Sequence, residues 1–463
     1  MIGRWLRSRV ATWPALLISA LSFAAYTLYG CLQWRRMSVP SWDLGIFTQL
    51  LRDYATLQAP IVPIKGAGFN LLGDHFHPLL VVLAPFYAAF PSGLTLLVLQ
   101  AALVAISAFV VTRLAVERLG RMPGLAIGFA YAVSWGLQNA VAAQFHEIAL
   151  ALPLLALSLA AVVRQRWLAA ALWAAPLVFV KEDLGLTVLV IGVVLFLRGA
   201  RRLGAALCAW GVFWFAATTL VILPLLNPHG TWDYGGSSNV GGSLLHLGDT
   251  LASLVTTPKL QTIVMLTLAT AVLAFRSPIS LAVLPTLAWR FLSDNDAYWG
   301  PSWHYSAVLM PIVFVAFIDA LLLARRSRHN WLRVYGRAAM PMSLAFALVM
   351  LPQLPLAELV RPSSYAPSPA GAVAAMAKIP DDATVVSDLT YLAYLSSRDT
   401  AYWIGNSDNP AADYLILDQN SGAWGANPPT DAAAYAEQSF EGSAYSLIYS
   451  QGGYQVAKRT SGP

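Results

Sequence analysis

Charge is what this sequence has least of. Only 11% of its 463 residues are Asp, Glu, Lys or Arg, against about 25% in an ordinary soluble domain. Hydrophobic residues make up 57%, and mean hydropathy is +0.60. So few charges exclude a water-soluble surface at this length, which leaves lipid as the main solvent. Cysteine is nearly absent as well. Cys31 and Cys208 fall in separate apolar runs on opposite sides of the expected membrane, which excludes a disulfide framework. The first apolar run is long for a cleaved signal peptide and ten more follow it, so it reads as a span.

The charges that are present divide the chain. Up to Leu354 there are 24 Lys and Arg against 12 Asp and Glu; from Pro355 onward there are 5 against 11. A basic membrane region of residues 1–354 therefore precedes a Pro-rich linker, 355–370, and an acidic tail, 371–463. Apolar stretches fall at about 12–34, 92–116, 122–143, 147–163, 167–180, 184–197, 204–226, 259–275, 278–292, 303–324 and 338–354. Each is near or somewhat short of the ~20 residues that span a bilayer. The connections alternate. One set carries Arg4, Arg7 and Arg9; Arg113, Arg118 and Arg121; Arg164 and Arg166; Arg198, Arg201 and Arg202; Arg276; and Arg325 to Arg337. The other set carries acids and histidines. Placing the arginines in the cytoplasm gives about eleven transmembrane helices, a cytoplasmic N-terminus and an extracytoplasmic tail in the cell inner (plasma) membrane.

Unusual polar residues collect on the expected outer face. The first outer loop, 35–77, opens with Ser41-Trp42-Asp43-Leu44-Gly45-Ile46-Phe47-Thr48-Gln49, whose apolar spacing predicts an amphipathic interfacial helix capped by Ser41 or Asp43. It closes with Asp74-His75-Phe76-His77-Pro78, and parity makes the apolar stretch up to Phe90 a second interfacial or half-inserted helix. His146-Glu147 joins two spans. Lys181-Glu182-Asp183 joins two spans of about fourteen residues, too short to lift the triplet clear of the hydrocarbon. Such charges are costly unless they face a cavity and pair; the plainer reading is a Lys–carboxylate pair closing a turn. His304-Tyr305 tops another span. Together these residues predict an outward-opening cavity ringed by carboxylates and imidazoles. The second outer loop, 227–258, holds Gly235-Gly236-Ser237-Ser238 and Gly241-Gly242-Ser243 with no preceding strand, so it reads as a flap over that cavity and not as a phosphate loop.

In the tail, Ala383–Val386, Thr400–Ile404 and Asp413–Asp418 read as strands, residues 389–395 as a short helix, and Ser446–Tyr449 with Tyr454–Ala457 as a hairpin around Gly452-Gly453. This predicts a small α/β domain, read as a cap that shapes the cavity rim.

Trp42-Asp43-Leu44-Gly45-Ile46-Phe47-Thr48-Gln49, His75-Phe76-His77-Pro78, Phe145-His146-Glu147, Lys181-Glu182-Asp183 and Trp303-His304-Tyr305 resemble the motifs of a bacterial family of predicted polytopic membrane proteins without an assigned activity. That family in turn resembles the C-type glycosyltransferases, all-α membrane proteins with interfacial helices and a variable extracytoplasmic domain. The resemblance implies an inverting transferase that takes a sugar from a polyprenyl-phosphate donor to a cell-envelope glycan, lipid or protein. Asp43 matches the family's first-loop carboxylate, although the usual paired acids are absent, which leaves metal dependence open. Asp43 is the candidate general base. Trp42, Gln49, His75, His77, His146, Glu147, Lys181, Glu182, Asp183, His304 and Tyr305 are candidates for donor phosphate and substrate. Asp74, His75 and His77 are candidate ligands for a divalent cation, Mg or Mn. Membrane lipids are expected partners and nucleic acid is not. The rival reading is a transporter or flippase that uses the same residues as a proton relay; a non-catalytic envelope scaffold is a third.

Overall fold

The computed structural model describes residues 2–39, 41–234, 255–425 and 427–462, with the backbone alone for residues 2–10. The apolar stretches are helical. Ala11–Arg36, Gly93–Leu119, Arg201–Leu226 and Asn330–Gln353 are long and apolar enough to cross a membrane. Glu147–Val163, Trp167–Phe179, Leu184–Leu197 and Pro278–Leu292 are shorter apolar helices. Helix Leu309–Arg325 runs through the middle and is buried on nearly every face. Two predicted spans are broken. The one expected at 122–143 divides at Val133 and Ser134. The one at 259–275 divides where Ala271 and Val272 take left-handed backbone, φ 46° and 63°, a conformation a β-branched residue rarely adopts.

Small residues let one pair of helices approach closely. Gly185 and Gly192 on Leu184–Leu197 face Gly204 and Gly211 on Arg201–Ala217. A Cβ at Gly192 would lie 2.7 Å from Cys208 N, and one at Gly211 2.5 Å from Gly185 O. At one end of the bundle the arginine connections meet. Glu117 holds Arg113 at 3.0 Å and Arg164 at 2.7 Å, Arg118 donates to Val163 O, and Arg325 to Leu119 O.

The opposite end carries the tail. Strands β1 (Thr384–Ser387), β2 (Thr400–Trp403), β3 (Tyr414–Asp418), β4 (Ala444–Gln451) and β5 (Tyr454–Ser461) form one sheet in the order β2-β1-β3-β5-β4. The first three are parallel and the last two form an antiparallel hairpin. Alternation divides the faces: Val385, Ile416 and Val456 join the core of the membrane region, whereas Val386, Leu415 and Leu417 pack with Ala432 and Ala436 of helix Ala432–Ser439. The linker is fastened as well: Arg36, at the end of helix α1 (Ile2–Arg36), pairs with Glu358 at 2.8 Å.

The predicted interfacial helix exists as α2 (Ser41–Ala55), but it has no free amphipathic face. Ser41, Leu44 to Leu51 and Asp53 are buried, because the sheet domain covers the side expected to meet solvent. Ser41 Oγ accepts from Ala393 N at 2.6 Å instead of capping its own helix, and Arg52 donates to Asp399 O at 2.6 Å. Trp42 meets Trp403 edge-on at 4.8 Å. A Cβ at Gly45 would lie 2.9 Å from Ile64 Cδ1 and 3.3 Å from Leu392 Cβ, so α2 is wedged between the two regions.

Candidate active site

A cavity of about 530 Å³ opens beside α2 at the sheet-domain end. It is lined by Trp42, Asp43, Asp74, His75, His77, His146, Glu147, Lys181, Glu182, Asp183, His304 and Tyr305, so residues from five separate segments meet there. Gln49 is not among them. It lies fully buried on the far side of α2, where Nε2 donates to Ala401 O at 2.8 Å and Oε1 accepts from Ile64 N at 3.2 Å. One end of its amide holds the sheet domain and the other the first outer loop.

Asp43, half exposed to the cavity, faces the nearly buried His146, with Oδ2 and Nε2 3.2 Å apart. His146 Nδ1 lies 2.9 Å from Gln144 O, which fixes Nδ1–H as the donor and turns Nε2 toward the carboxylate. Burial works against the imidazolium, but Asp43 and Glu147 beside it raise the His146 pKa. His304 stacks on His146, ring centroids 3.5 Å apart. Both histidines follow backbone that non-glycine residues seldom adopt: Gln144 at φ 80° and Trp303 at φ 64°. Such conformations cost about 1–3 kcal/mol each and persist where the surroundings enforce them. Around Gln144 they do: its side chain donates to Gln33 Oε1 at 2.9 Å, and its carbonyl accepts from Gln100 Nε2 at 3.1 Å.

The Lys181-Glu182-Asp183 triplet does not close on itself. Lys181 Nζ reaches Glu147 Oε1 at 2.8 Å. Burial disfavours the ammonium, but Glu147, Asp183 and Glu182 hold its pKa above the ordinary lysine value. Glu182 accepts from His75 Nδ1 at 2.7 Å and from Phe76 N at 3.1 Å, which anchors the 75–77 segment. Burial would raise its pKa, and His75 and Lys181 instead bring it down to about 2. Burial pushes Asp183 up to about 6, with Lys181 opposing. It pushes His77 down to about 4. His77 is 1% exposed, and its Nδ1 has no hydrogen-bond partner.

Asp74, His75 and His77 do not converge on one point. Asp74 is held by Lys65 Nζ and Tyr234 Oη, each at 3.3 Å, while His75 turns to Glu182. Among the described residues no three His, Cys, Asp or Glu side chains form a group able to hold a metal ion.

Several lining residues escaped sequence reasoning. Tyr234 stacks on His75 at 4.3 Å. It belongs to the start of the loop read as a flap, of which residues 235–254 lie outside the described residues. Trp289 and Tyr298 line the same cavity. Arg290 is fully buried and clamps the loop that carries Tyr298, His304 and Tyr305, donating to Tyr298 O at 2.7 Å, Gly300 O at 2.8 Å and Ser306 Oγ at 3.0 Å. A lone arginine inside an apolar span was the available signal.

In the sheet domain, ligands of parallel α/β sheets bind where strand order reverses, here between the carboxyl ends of β1 and β3. Side chains fill that place. Asp388 accepts from Thr390 N at 2.8 Å and Asp418 N at 2.6 Å, and Tyr391 is fully buried. Burial raises Asp388 to about 7.

The sequence profile of the family described as "Predicted membrane protein (DUF2079)" matches residues 34–456. No curated protein matches by sequence. Among solved structures, ArnT from Cupriavidus metallidurans bound to undecaprenyl phosphate is similar over 95% of this chain and 97% of that one, with a TM-score of 0.55 at 14% identity. The same protein in its apo state is similar over the same shares, with a TM-score of 0.52 at 14% identity. The fold is that of the C-type glycosyltransferases: a polytopic helical membrane protein with a small C-terminal sheet domain.

Proposed function

The chain belongs to the DUF2079 family of predicted membrane proteins, and from that footing we propose that it is a glycosyltransferase moving a sugar from a polyprenyl phosphate to a hydroxyl of an extracytoplasmic cell-envelope acceptor. The observation that carries this reading is the single cavity in which a half-exposed carboxylate, Asp43, is backed by a buried imidazole and faces a lysine and further histidines. The undecaprenyl phosphate bound by the solved protein of the same fold supports the donor class. The arginine end lies in the cytoplasm in this reading, and the cavity opens outside.

Asp43 takes the proton of the acceptor hydroxyl, and His146 is placed to share it. The freed oxygen attacks the anomeric carbon. The bond from that carbon to the phosphate oxygen breaks, and its electron pair leaves with the prenyl phosphate. Attack opposite the leaving group inverts the anomeric centre. The developing phosphate charge is met by Lys181, turning from Glu147, and by protonated His75.

The test is turnover by purified protein of radiolabelled polyprenyl-phosphate sugars, with Asp43→Asn alongside. Wild type should transfer or release sugar, and the variant should lose about 10²–10⁴-fold of that rate at unchanged thermal stability. Equal rates would remove Asp43 as the base. Substrate-dependent proton movement in liposomes without transfer would favour the transporter reading.

A further inference from the structure

Resting on the transferase reading, we propose that Trp289, Tyr298 and Tyr305 form the subsite for the transferred glycosyl group, and that it takes an uncharged pyranose by its C–H face.

The three rings line the cavity and meet nearly at right angles. Trp289 and Tyr298 are 5.4 Å apart at 74°, Trp289 and Tyr305 5.9 Å at 83°, and Tyr298 and Tyr305 4.9 Å at 73°. Edge-to-face rings make a hollow corner, whereas stacked rings would cover one another. The corner comes from three separate places: Trp289 from helix Leu284–Leu292, Tyr298 from a short turn, and Tyr305 from the approach to helix Leu309–Arg325. Arg290 ties them together. Its guanidinium lies 5.9 Å from the Tyr305 ring while it holds the carbonyls of Tyr298 and Gly300. Trp299 Nε1 donates to Ser293 O at 2.8 Å and closes the same loop. A corner fixed in this way is built before any ligand arrives, so little ordering is left to oppose binding.

Its chemistry selects among the parts of the donor. A pyranose has one face of C–H bonds, which suits an aromatic ring, and hydroxyls around its edge. A prenyl chain has the first property and lacks the second. Trp289 Nε1 is buried without a hydrogen-bond partner, a state that costs about 1–3 kcal/mol until an acceptor reaches it. A sugar hydroxyl can be that acceptor once the indole tilts to expose its N–H, and an isoprene unit cannot. Neither a carboxylate nor an ammonium is part of the corner, and Arg290 is spent on the loop, so the fitting sugar carries no charge there. Position agrees. Tyr305 lies 4.1 Å from the ring of His304, which stacks on His146, which faces Asp43. The corner is therefore the part of the cavity wall contiguous with the candidate base, on the side where an anomeric carbon has to wait.

The experiment is saturation-transfer NMR on the full-length protein in detergent. The sugar probes are the methyl glycosides of glucose, galactose, mannose and N-acetylglucosamine; geranyl phosphate is the separate lipid probe. At least one glycoside should receive saturation at its ring C–H protons in the wild type. Its affinity should fall at least tenfold in Trp289→Ala and in Tyr298→Leu, and recover in part in Trp289→Phe, which restores a ring face without the N–H. Geranyl phosphate should bind all four proteins alike. Loss of geranyl phosphate binding in Trp289→Ala with glycoside binding unchanged would give the corner to the prenyl chain and overturn the proposal. Failure of every glycoside to bind the wild type would also overturn it. Binding is read without turnover, so a protein that binds the glycoside here and transfers nothing would keep its sugar site and lose the transferase reading.

Discussion

Lys181 and Glu147 show what a buried charge requires of its neighbours. Both are largely removed from solvent and lie 2.8 Å apart. Removing one member of such a pair leaves the other stranded, at about 3–5 kcal/mol. Glu147→Gln should therefore lower thermal stability markedly, and Lys181→Met in the same chain should return part of it; differential scanning fluorimetry reads both. On the transferase reading recovery should not extend to turnover, since there Lys181 meets the leaving phosphate. His77 makes a separate prediction. Its folded pKa of about 4 lies below the ordinary value of 6.5, so the fold favours the neutral ring. That contribution is present above pH 6.5 and is lost as pH falls toward 4, by up to roughly 3 kcal/mol. His75, raised beside Glu182, acts in the opposite sense, contributing below pH 6.5 and fading as pH rises through its raised value. The melting temperature of the wild type should fall between pH 6.5 and 4.5, and His77→Phe should flatten that limb. An unchanged slope in the variant would assign the loss to other groups.

Among the elements, the pair Leu184–Leu197 and Arg201–Ala217 leaves no room for a side chain at its facing glycines. Gly192→Val would drive its Cβ against Cys208 N and Sγ, both 2.7 Å away. Overpacking costs about 1–3 kcal/mol, and Cys208→Ala should not rescue it, because the backbone nitrogen remains; melting curves of the single and double variants decide. Helix α2 marks how far the sequence could be read. Its extent and its apolar spacing were legible, and so was the gathering of His75, His77, His146, Lys181 and His304 at one end, because alternating arginines fix which connections share a side. Which face of α2 would be covered was not legible. Gln49 looked like a site residue because it closes the motif that opens with Trp42 and Asp43. Its two bonding partners, Ile64 and Ala401, are a backbone N–H and a carbonyl, and a carbonyl 352 positions away leaves no mark on local periodicity. Trp289 and Tyr298 were hidden for related reasons: an aromatic in an apolar span reads as core, and one in a short polar connection gives no sign of the side to which the connection folds.

At the scale of the molecule, the membrane region and the sheet domain share one core and are joined through α2 by backbone bonds from Ser41, Gln49 and Arg52. Gln49→Leu would leave a buried N–H and a buried carbonyl without partners, at about 1–3 kcal/mol each. The expected result is faster proteolysis in residues 355–369 with the membrane helices intact, seen as release of a fragment of the sheet domain's size. Cleavage no faster than in wild type would mean that Arg52 and the Trp42–Trp403 contact suffice. The division into a basic membrane part and an acidic α/β tail was plain from composition, and strand positions from alternation; the docking was not, because it pairs residues far apart in the chain. That separation has a consequence in time. A ribosome delivers Asp43 to the membrane early, yet the segments that seat its helix, residues 392–406, emerge some 350 positions later. Throughout synthesis the nascent protein holds the candidate base with nothing to aim it, while on the transferase reading a lipid-linked donor already surrounds it. Activity switched on by completion of the chain would keep half-made copies from squandering that donor.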